Sequence, residues 1–151
     1  MSPISHKEMN VKKVLFLLSS LFPLVAHSAV TSESFCFELS ESSPVKFEFR
    51  TFYDASSKWS GGFVRYAKYN DPISIVLTDS EEEMLGPDAP WQRATTWSEV
   101  VNGKVAGTYD FVTQGTQIVS MKYTKKSNGK VYHFLSNPNI DSSQESGCKW
   151  E

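Results

Sequence analysis

Few side chains in this sequence are of the types that carry catalytic chemistry, and their spacing assembles no recognisable catalytic site. The chain has three histidines and two cysteines. His133 alternates with apolar neighbours, which is more typical of a partly buried strand residue than of a general base. The Ser-x-x-Lys matches at 43–46 and 127–130 fall at a strand entry and in a turn, where the lysine would not be desolvated beside the serine. No nucleophile elbow, phosphate-binding loop or dinucleotide fingerprint occurs. We therefore predict no catalytic residue and no enzymatic activity.

The segment 79–90 is the most acidic part of the chain and contains no basic residue. Ser80 and Glu83 have the spacing of a helix capping box, and the pair at 86–87, Gly-Pro, is a stop signal. The sequence thus predicts one short helical turn within a 79–90 loop. The Asp-x-Asp-x-Asp-Gly spacing of a calcium loop is absent, so no metal and no cofactor are predicted.

Tryptophans flank this acidic run and a glycine-containing loop. Trp91 follows Pro90 at the rim of the acidic segment, and Trp59 precedes a Ser-Gly-Gly sequence. Aromatic side chains at loop rims often anchor a partner, although a tryptophan that closes the end of a barrel is the commoner case. The candidate partner-binding residues are Glu81, Glu82, Glu83, Trp91 and Trp59, and their charge favours a basic partner protein.

Alternation with a period of two dominates the rest of the sequence and predicts an all-β domain. In 45–53, apolar or aromatic residues alternate with Lys46, Glu48 and Arg50, as in a half-buried strand. Asn-Gly pairs at 102–103 and 128–129 separate further alternating segments and are strong hairpin signals. About eight strands at this spacing predict a small antiparallel meander barrel, with a two-sheet sandwich as the alternative.

The amino-terminal residues have the three parts of a secretory signal peptide. Lysines precede an apolar run over 14–26, and small residues at Ala26 and Ser28 suit cleavage after Ser28. A membrane anchor is the alternative, but the run is shorter than the roughly 20 residues that span a bilayer and contains two serines and a proline. We predict a signal peptide over 1–28, a single β domain over 29–151 and a periplasmic or secreted location. No membrane span is expected.

Export determines how the two cysteines are interpreted. Cys36 and Cys148 both lie in the expected mature chain, and in an oxidising compartment such a pair predicts a disulfide. This bond would join the first strand to the last residues of the domain. Loss of the leader also makes the net charge more negative than the −2 of the whole chain. We therefore predict no nucleic-acid partner.

The layout of a signal peptide, an early cysteine flanked by aromatic residues and a late cysteine closing a small β-barrel resembles that of bacterial periplasmic inhibitors of c-type lysozyme. The Ser-Gly-x-x-Tyr inhibitory loop associated with that family has no counterpart here. The segment 60–66 reads Ser-Gly-Gly-Phe-Val-Arg-Tyr, which places the tyrosine two residues late. No functional residue is therefore carried over from the resemblance.

These observations favour an exported, non-catalytic binding module, such as an inhibitor or immunity-type protein that acts on a basic enzyme, for example a cell-wall hydrolase. The alternatives are a β-barrel that binds a small ligand or catalyses a reaction in its interior, and a structural or surface-assembly subunit. A polar cavity in the barrel would favour the ligand-binding alternative, whereas an interior filled with aromatic side chains would favour the binding module.

The signal peptide leads to a direct test. Amino-terminal sequencing of the protein from periplasmic or secreted material should begin at Ala29 or within a residue or two of it, because signal peptidase requires small residues before the cut. A membrane-bound product that retains residues 14–26 would contradict export by cleavage.

Overall fold

The computed structural model describes residues 30–39 and 43–150, so the expected leader and its cleavage site lie outside the described residues. The described chain forms ten strands. Their bounds are β1 Val30–Glu38, β2 Lys46–Asp54, β3 Trp59–Tyr66, β4 Ile73–Met84, β5 Trp91–Val101, β6 Lys104–Gln114, β7 Gln117–Lys125, β8 Val131–Ser136, β9 Ser142–Ser143 and β10 Gly147–Cys148.

The first eight strands pair with their sequence neighbours, always antiparallel, and form a closed barrel in which β8 returns to β1. The remaining two strands form a separate two-stranded sheet. The prediction of an eight-stranded antiparallel meander barrel is confirmed, and the sandwich alternative is wrong. Tight turns make this order possible. At the β5–β6 hairpin, Asn102 and Gly103 both have positive φ, 51° and 73°, as a type I′ turn requires.

The predicted helical turn in the 79–90 loop is wrong, because residues 79–84 belong to a strand and residues 85–90 form a non-helical turn. The second half of β4 pairs with β5 from Asp79↔Thr96 to Met84↔Trp91. A register shift between Leu77 and Asp79 sets the faces of this half strand. The Gly-Pro signal is used in a four-residue turn instead, in which the Ala89 N–H donates to the Gly86 carbonyl at 3.2 Å.

Aromatic side chains fill the middle of the barrel. Phe37, Phe47 and Phe49 are fully buried and pack edge-on or tilted against rings from other strands. The ring centroids of Phe47 and Phe134 lie 4.8 Å apart at an interplanar angle of 86°. Such pairs are stabilised beyond their buried area because a ring edge and a ring face carry opposite partial charges. The other buried members of this cluster are Val64, Ile75, Trp97, Tyr109, Phe111 and Met121.

The two ends of the barrel differ. At one end, which we call the mouth, lie the connections at 55–58, 85–90 and 115–116. The β4–β5 hairpin projects there, because β3 pairs only with the first part of β4, from Ile73 to Val76. The other end carries the connections at 67–72, 102–103 and 126–130.

Closure of the barrel depends on a short seam. β1 and β8 pair only at Phe37↔Ser136 and Glu38↔Leu135. The Asn137 side chain then accepts from the Asn139 N–H at 3.1 Å, and this turn, with Pro138 in its centre, ends β8. Toward the mouth, the wall between β1 and β7 therefore lacks the strand that a longer β8 would supply. We call this opening the slot.

The carboxyl-terminal segment 141–148 packs across the outer face of β1 and β2. Arg50 of β2 donates to the carbonyl oxygens of Gln144 and Ser143, at 2.9 and 3.2 Å. Cys148 forms the predicted disulfide with Cys36, with a Cα–Cα distance of 5.9 Å. The bond lies one residue from the seam and attaches the segment to β1.

The disulfide closes a loop of 112 residues, which predicts a large effect on stability. Cys36→Ser or Cys148→Ser should lower the free energy of unfolding by about 4–5 kcal/mol, because the reduced unfolded chain regains the entropy that the crosslink removes. Denaturant unfolding of the oxidised wild type and of each variant measures this. Two reactive thiols in folded native protein, or equal stabilities, would contradict it.

Candidate functional site

A large cavity opens at the mouth of the barrel. Its volume is about 1180 Å³, and we call it the cup. Residues of β1 to β6 and of the connections at the mouth line its walls, above the aromatic core. The cup is thus the unfilled upper end of the same interior that is tightly packed below.

The floor of the cup is apolar. It consists of Phe35, Leu77, Trp97 and Phe111. The Phe35 and Phe111 rings meet edge to face, with centroids 4.9 Å apart. The indole N–H of Trp97 donates to the Thr95 hydroxyl at 3.0 Å, so the polar atom of this buried ring has a partner. An apolar or aromatic group that entered the cup would meet a ring-lined base.

The walls of the cup are polar, and one of them carries an ion pair. Glu82 of β4 lies opposite Arg93 of β5. The Glu82 Oε1 accepts from the Arg93 Nε at 2.7 Å. Both side chains are about half exposed, so the pair is screened by solvent and contributes little to stability. Ser80, Thr113 and Thr116 add hydroxyl groups to the same walls.

The structure separates the five predicted partner-binding residues into two groups. Glu82 and Trp91 line the cup, and the Trp91 side chain is 55 % exposed. Glu81 and Glu83 alternate with Glu82 along β4 and therefore lie on the outer face of the hairpin. Trp59 is also exposed on the outer face, where its ring lies over Gly61.

The slot opens one side of the cup. Glu33 and Phe35 of β1 belong to the cavity lining, as do Gly115 and Thr116 of the β6–β7 turn. Between these two groups the wall has no paired strand, since β8 ends at Ser136. The cup is thus open at its mouth and along the edge of β1.

A second polar cluster lies toward the opposite end of the barrel. Glu99 is only 5 % exposed. Its carboxylate accepts hydrogen bonds from the Tyr109 hydroxyl at 2.7 Å and from the Tyr123 hydroxyl at 2.9 Å. The Tyr109 and Tyr66 hydroxyls are 3.1 Å apart. Burial of the rings raises the pKa of Tyr66, Tyr109 and Tyr123, and the Glu99 carboxylate adds to the effect. These phenols remain protonated donors, a structural role, because they satisfy a buried carboxylate.

A third cluster lies beneath the carboxyl-terminal segment. The Glu48 side chain is fully buried, although it faces outward from β2. It forms ion pairs with Arg50 at 2.7 Å and with Arg65 at 2.6 Å, and the Ser34 hydroxyl donates to it at 3.1 Å. Gly147, with φ of 70°, passes so close that a Cβ there would overlap the carboxylate. Glu48 is thus enclosed by its partners and by the carboxyl-terminal segment.

Sequence reasoning missed the floor of the cup and the pairing of Glu82 with Arg93. If residues 79–84 had been predicted as a strand that forms a hairpin with the next one, Glu82 and Arg93 would have been placed opposite each other. His133 does lie in a strand, but its side chain is exposed rather than partly buried. Within residues 30–39 and 43–150, no cluster of three or more histidine, cysteine or acidic side chains is arranged to hold a metal ion. The same residues contain no helix long and apolar enough to cross a membrane.

Fold and cavity together define the chain as an up-and-down β-barrel with a solvent-open cup at one end. No family model, curated protein or solved structure matches the chain.

The tyrosine cluster predicts how stability depends on pH. Phenols with a raised pKa in the folded state hold their protons more tightly than the unfolded chain does, so their contribution is complete below about pH 10 and is lost as pH rises above it. Tyr123→Phe should therefore flatten the fall in unfolding free energy above about pH 10. Denaturant unfolding at several pH values measures the slope. Tyr69→Phe, at an exposed tyrosine, is the matched control and should leave the slope unchanged. Equal slopes for Tyr123→Phe and the wild type would contradict the assignment.

Proposed function

We propose that this protein is an exported, non-catalytic binding module that holds a segment of a basic partner protein in the cup. The form that best suits an exported module of this kind is an inhibitor or immunity-type protein acting on an enzyme such as a cell-wall hydrolase. The single observation that carries the proposal is the aromatic floor of the cup, which is left open to solvent at the mouth.

The barrel interior meets both criteria, because aromatic side chains fill its lower part and the cup above them has polar walls. The size and openness of the cup then support a protein segment over an enclosed small molecule. Small-ligand pockets usually measure about 300–1000 Å³ and bury most of the ligand. The cup has about 1180 Å³ and lacks one wall at the slot. The exposed Trp91 at its rim extends the apolar surface beyond the cavity, and rim tryptophans of this type often anchor protein partners.

The charges around the mouth support a basic partner. The outer face of the projecting hairpin carries Asp79, Glu81 and Glu83, all exposed. At the cavity wall itself, Glu33 is balanced by Lys58, so the acidic excess lies on the hairpin. Glu82 is already paired with Arg93, so it contributes little to the negative electrostatic potential at the mouth. Acidic groups at the entrance attract a basic protein and raise its association rate, while the apolar floor supplies the contact that slows dissociation.

The placement of the titratable clusters supports a binding rather than a catalytic role. The tyrosines with raised pKa and their carboxylate partner, Glu99, lie toward the end of the barrel away from the cup. Glu48 is enclosed beneath the carboxyl-terminal segment. In a catalytic site, groups with shifted pKa are expected to converge on the cavity that receives substrate.

A pair of neighbouring substitutions on β6 tests the cup. Thr113 faces the cavity, whereas Val112, the preceding residue, faces outward. With a photocrosslinking benzophenone amino acid at position 91, the wild type should give a discrete protein adduct in the cells that produce it. Thr113→Trp should abolish the adduct because the new ring fills the cup, and Val112→Trp should leave it unchanged.

Three results would contradict the proposal. The first is an adduct that survives Thr113→Trp, and the second is an equal adduct when the crosslinker replaces Tyr69, which is exposed in the connection away from the mouth. The third is the absence of any protein adduct together with a bound molecule of a few hundred daltons in native mass spectra. That last result would establish the small-ligand alternative.

A further inference from the structure

The edge of β1 that faces the slot presents unused backbone groups. The Leu39 N–H donates toward β2, to the Val45 carbonyl, whereas the Cys36 carbonyl accepts from the Asn137 N–H on the opposite side. Because successive residues of a strand point their backbone groups to alternate sides, the N–H and C=O of Ser34 and Ser32 point away from β2 and into the slot.

These groups lack strand partners in the described part of the chain. The pairing of β1 with β8 involves only Phe37 and Glu38, and Ser34 lies three residues from Phe37 on the side of the mouth. The Ser32 carbonyl accepts from the Gln144 side-chain amide at 3.2 Å, which takes the place of a strand partner. This contact is exposed and involves one flexible side chain, so an incoming strand can displace it.

β4 also has a free edge, away from the slot, and its side chains differ from those of β1. The part of β4 beyond Val76 also lacks a neighbour on the β3 side, but it carries Asp79, Glu81 and Glu83 on its outer face. Charged residues are a common protection of exposed edges against pairing with other chains. The outward side chains of β1 at the slot are Ser32 and Ser34, which provide no such protection.

We propose that an extended segment of the partner adds to β1 as a strand in the slot, antiparallel to β1, in the position that a longer β8 would occupy. This inference rests on the proposed function and specifies how the partner is held. Backbone hydrogen bonds to Ser34 and Ser32 supply affinity, and side chains that point inward enter the cup.

The cup-facing residues of β1 determine the sequence that fits. Phe35 lies on the apolar floor, and Glu33, two residues nearer the mouth, has no hydrogen-bond or ion-pair partner among the described residues. A strand antiparallel to β1 passes Phe35 first and Glu33 two residues later. The segment therefore carries an apolar residue, any residue, and then lysine or arginine. Opposite charges directly across a sheet are favourable.

A displayed library of octapeptides with all positions random tests this pattern. Selection against the oxidised mature protein should enrich the order apolar, any, basic. Ser32→Pro removes a slot-facing N–H that makes no bond in the free protein, so it should weaken the selected peptides about tenfold or more. Ser32→Ala keeps that N–H and should bind like the wild type. Gln144→Ala, which removes the competing amide, should bind about two- to tenfold more tightly.

Amide hydrogen exchange in the wild type gives a second readout that does not depend on the folding of Ser32→Pro. Peptide binding should slow exchange at Ser32 and Ser34, and unchanged exchange at both would overturn strand addition. Peptides that bind Ser32→Pro as well as Ser32→Ala, yet fail on Thr113→Trp, would overturn strand addition and leave the proposed function intact. Failure to enrich any peptide, with no protein adduct at position 91, would overturn both.

Discussion

The seam between β1 and β8 is the constraint on which the rest of the structure depends. Two residue pairs close the barrel, whereas nine pairs join β1 to β2. A closure of two pairs is weak by itself, because each backbone hydrogen bond contributes only about 1 kcal/mol net. The disulfide from Cys36 and the Asn137 N–H bond to the Cys36 carbonyl both act at the upper end of this seam. They fix the point at which the barrel stops being closed and the slot begins.

The position of the seam also explains where the interior is filled. Below and beside it, Phe37, Phe47 and Phe134 pack together, because strands on all sides bring large side chains to the axis. Above it, β8 is missing while β4, β5 and β6 continue. The inward-facing side chains of these strands do not fill the space that the strands enclose, so a cavity remains. One difference in strand length thus produces both the packed core and the open cup.

The two buried carboxylates satisfy the same physical requirement by different means. A carboxylate taken out of water is costly unless hydrogen bonds or opposite charges replace its hydration. Glu99, inside the barrel, receives neutral phenol donors from Tyr109 and Tyr123. Glu48, outside it, receives Arg50 and Arg65 and is then covered by the carboxyl-terminal segment. Since the disulfide holds that segment, the burial of Glu48 depends on the bond at Cys36, which lies directly opposite Glu48 in the pairing of β1 with β2.

Particular residues show what the sequence could and could not predict. Alternation and the Asn-Gly turn at 102–103 predict the meander, and the two cysteines predict their pairing, because these signals are local or admit one solution. The Ser80 and Glu83 capping box failed because continuous pairing with β5 outweighs the preference of one turn. Alternation placed Glu48 on the outer face, but its burial depends on a segment about a hundred residues later. The cup and the slot follow from where β8 ends relative to β1, a register that no local pattern contains.

The directions in which Glu81, Glu82 and Glu83 point are determined by β4, the strand that contains them. On a helical turn, Glu81, Glu82 and Glu83 would point in three directions and form one solvated cap. On β4 they alternate, so Glu82 turns inward to Arg93 while its neighbours remain on the outer face. The inner carboxylate forms an ion pair at the wall of the cup, and the outer ones lie on a strand edge that has no neighbour. The outer carboxylates thus protect the free edge of β4 from pairing with other chains, whereas the edge of β1 at the slot carries no acidic side chain on its outer face.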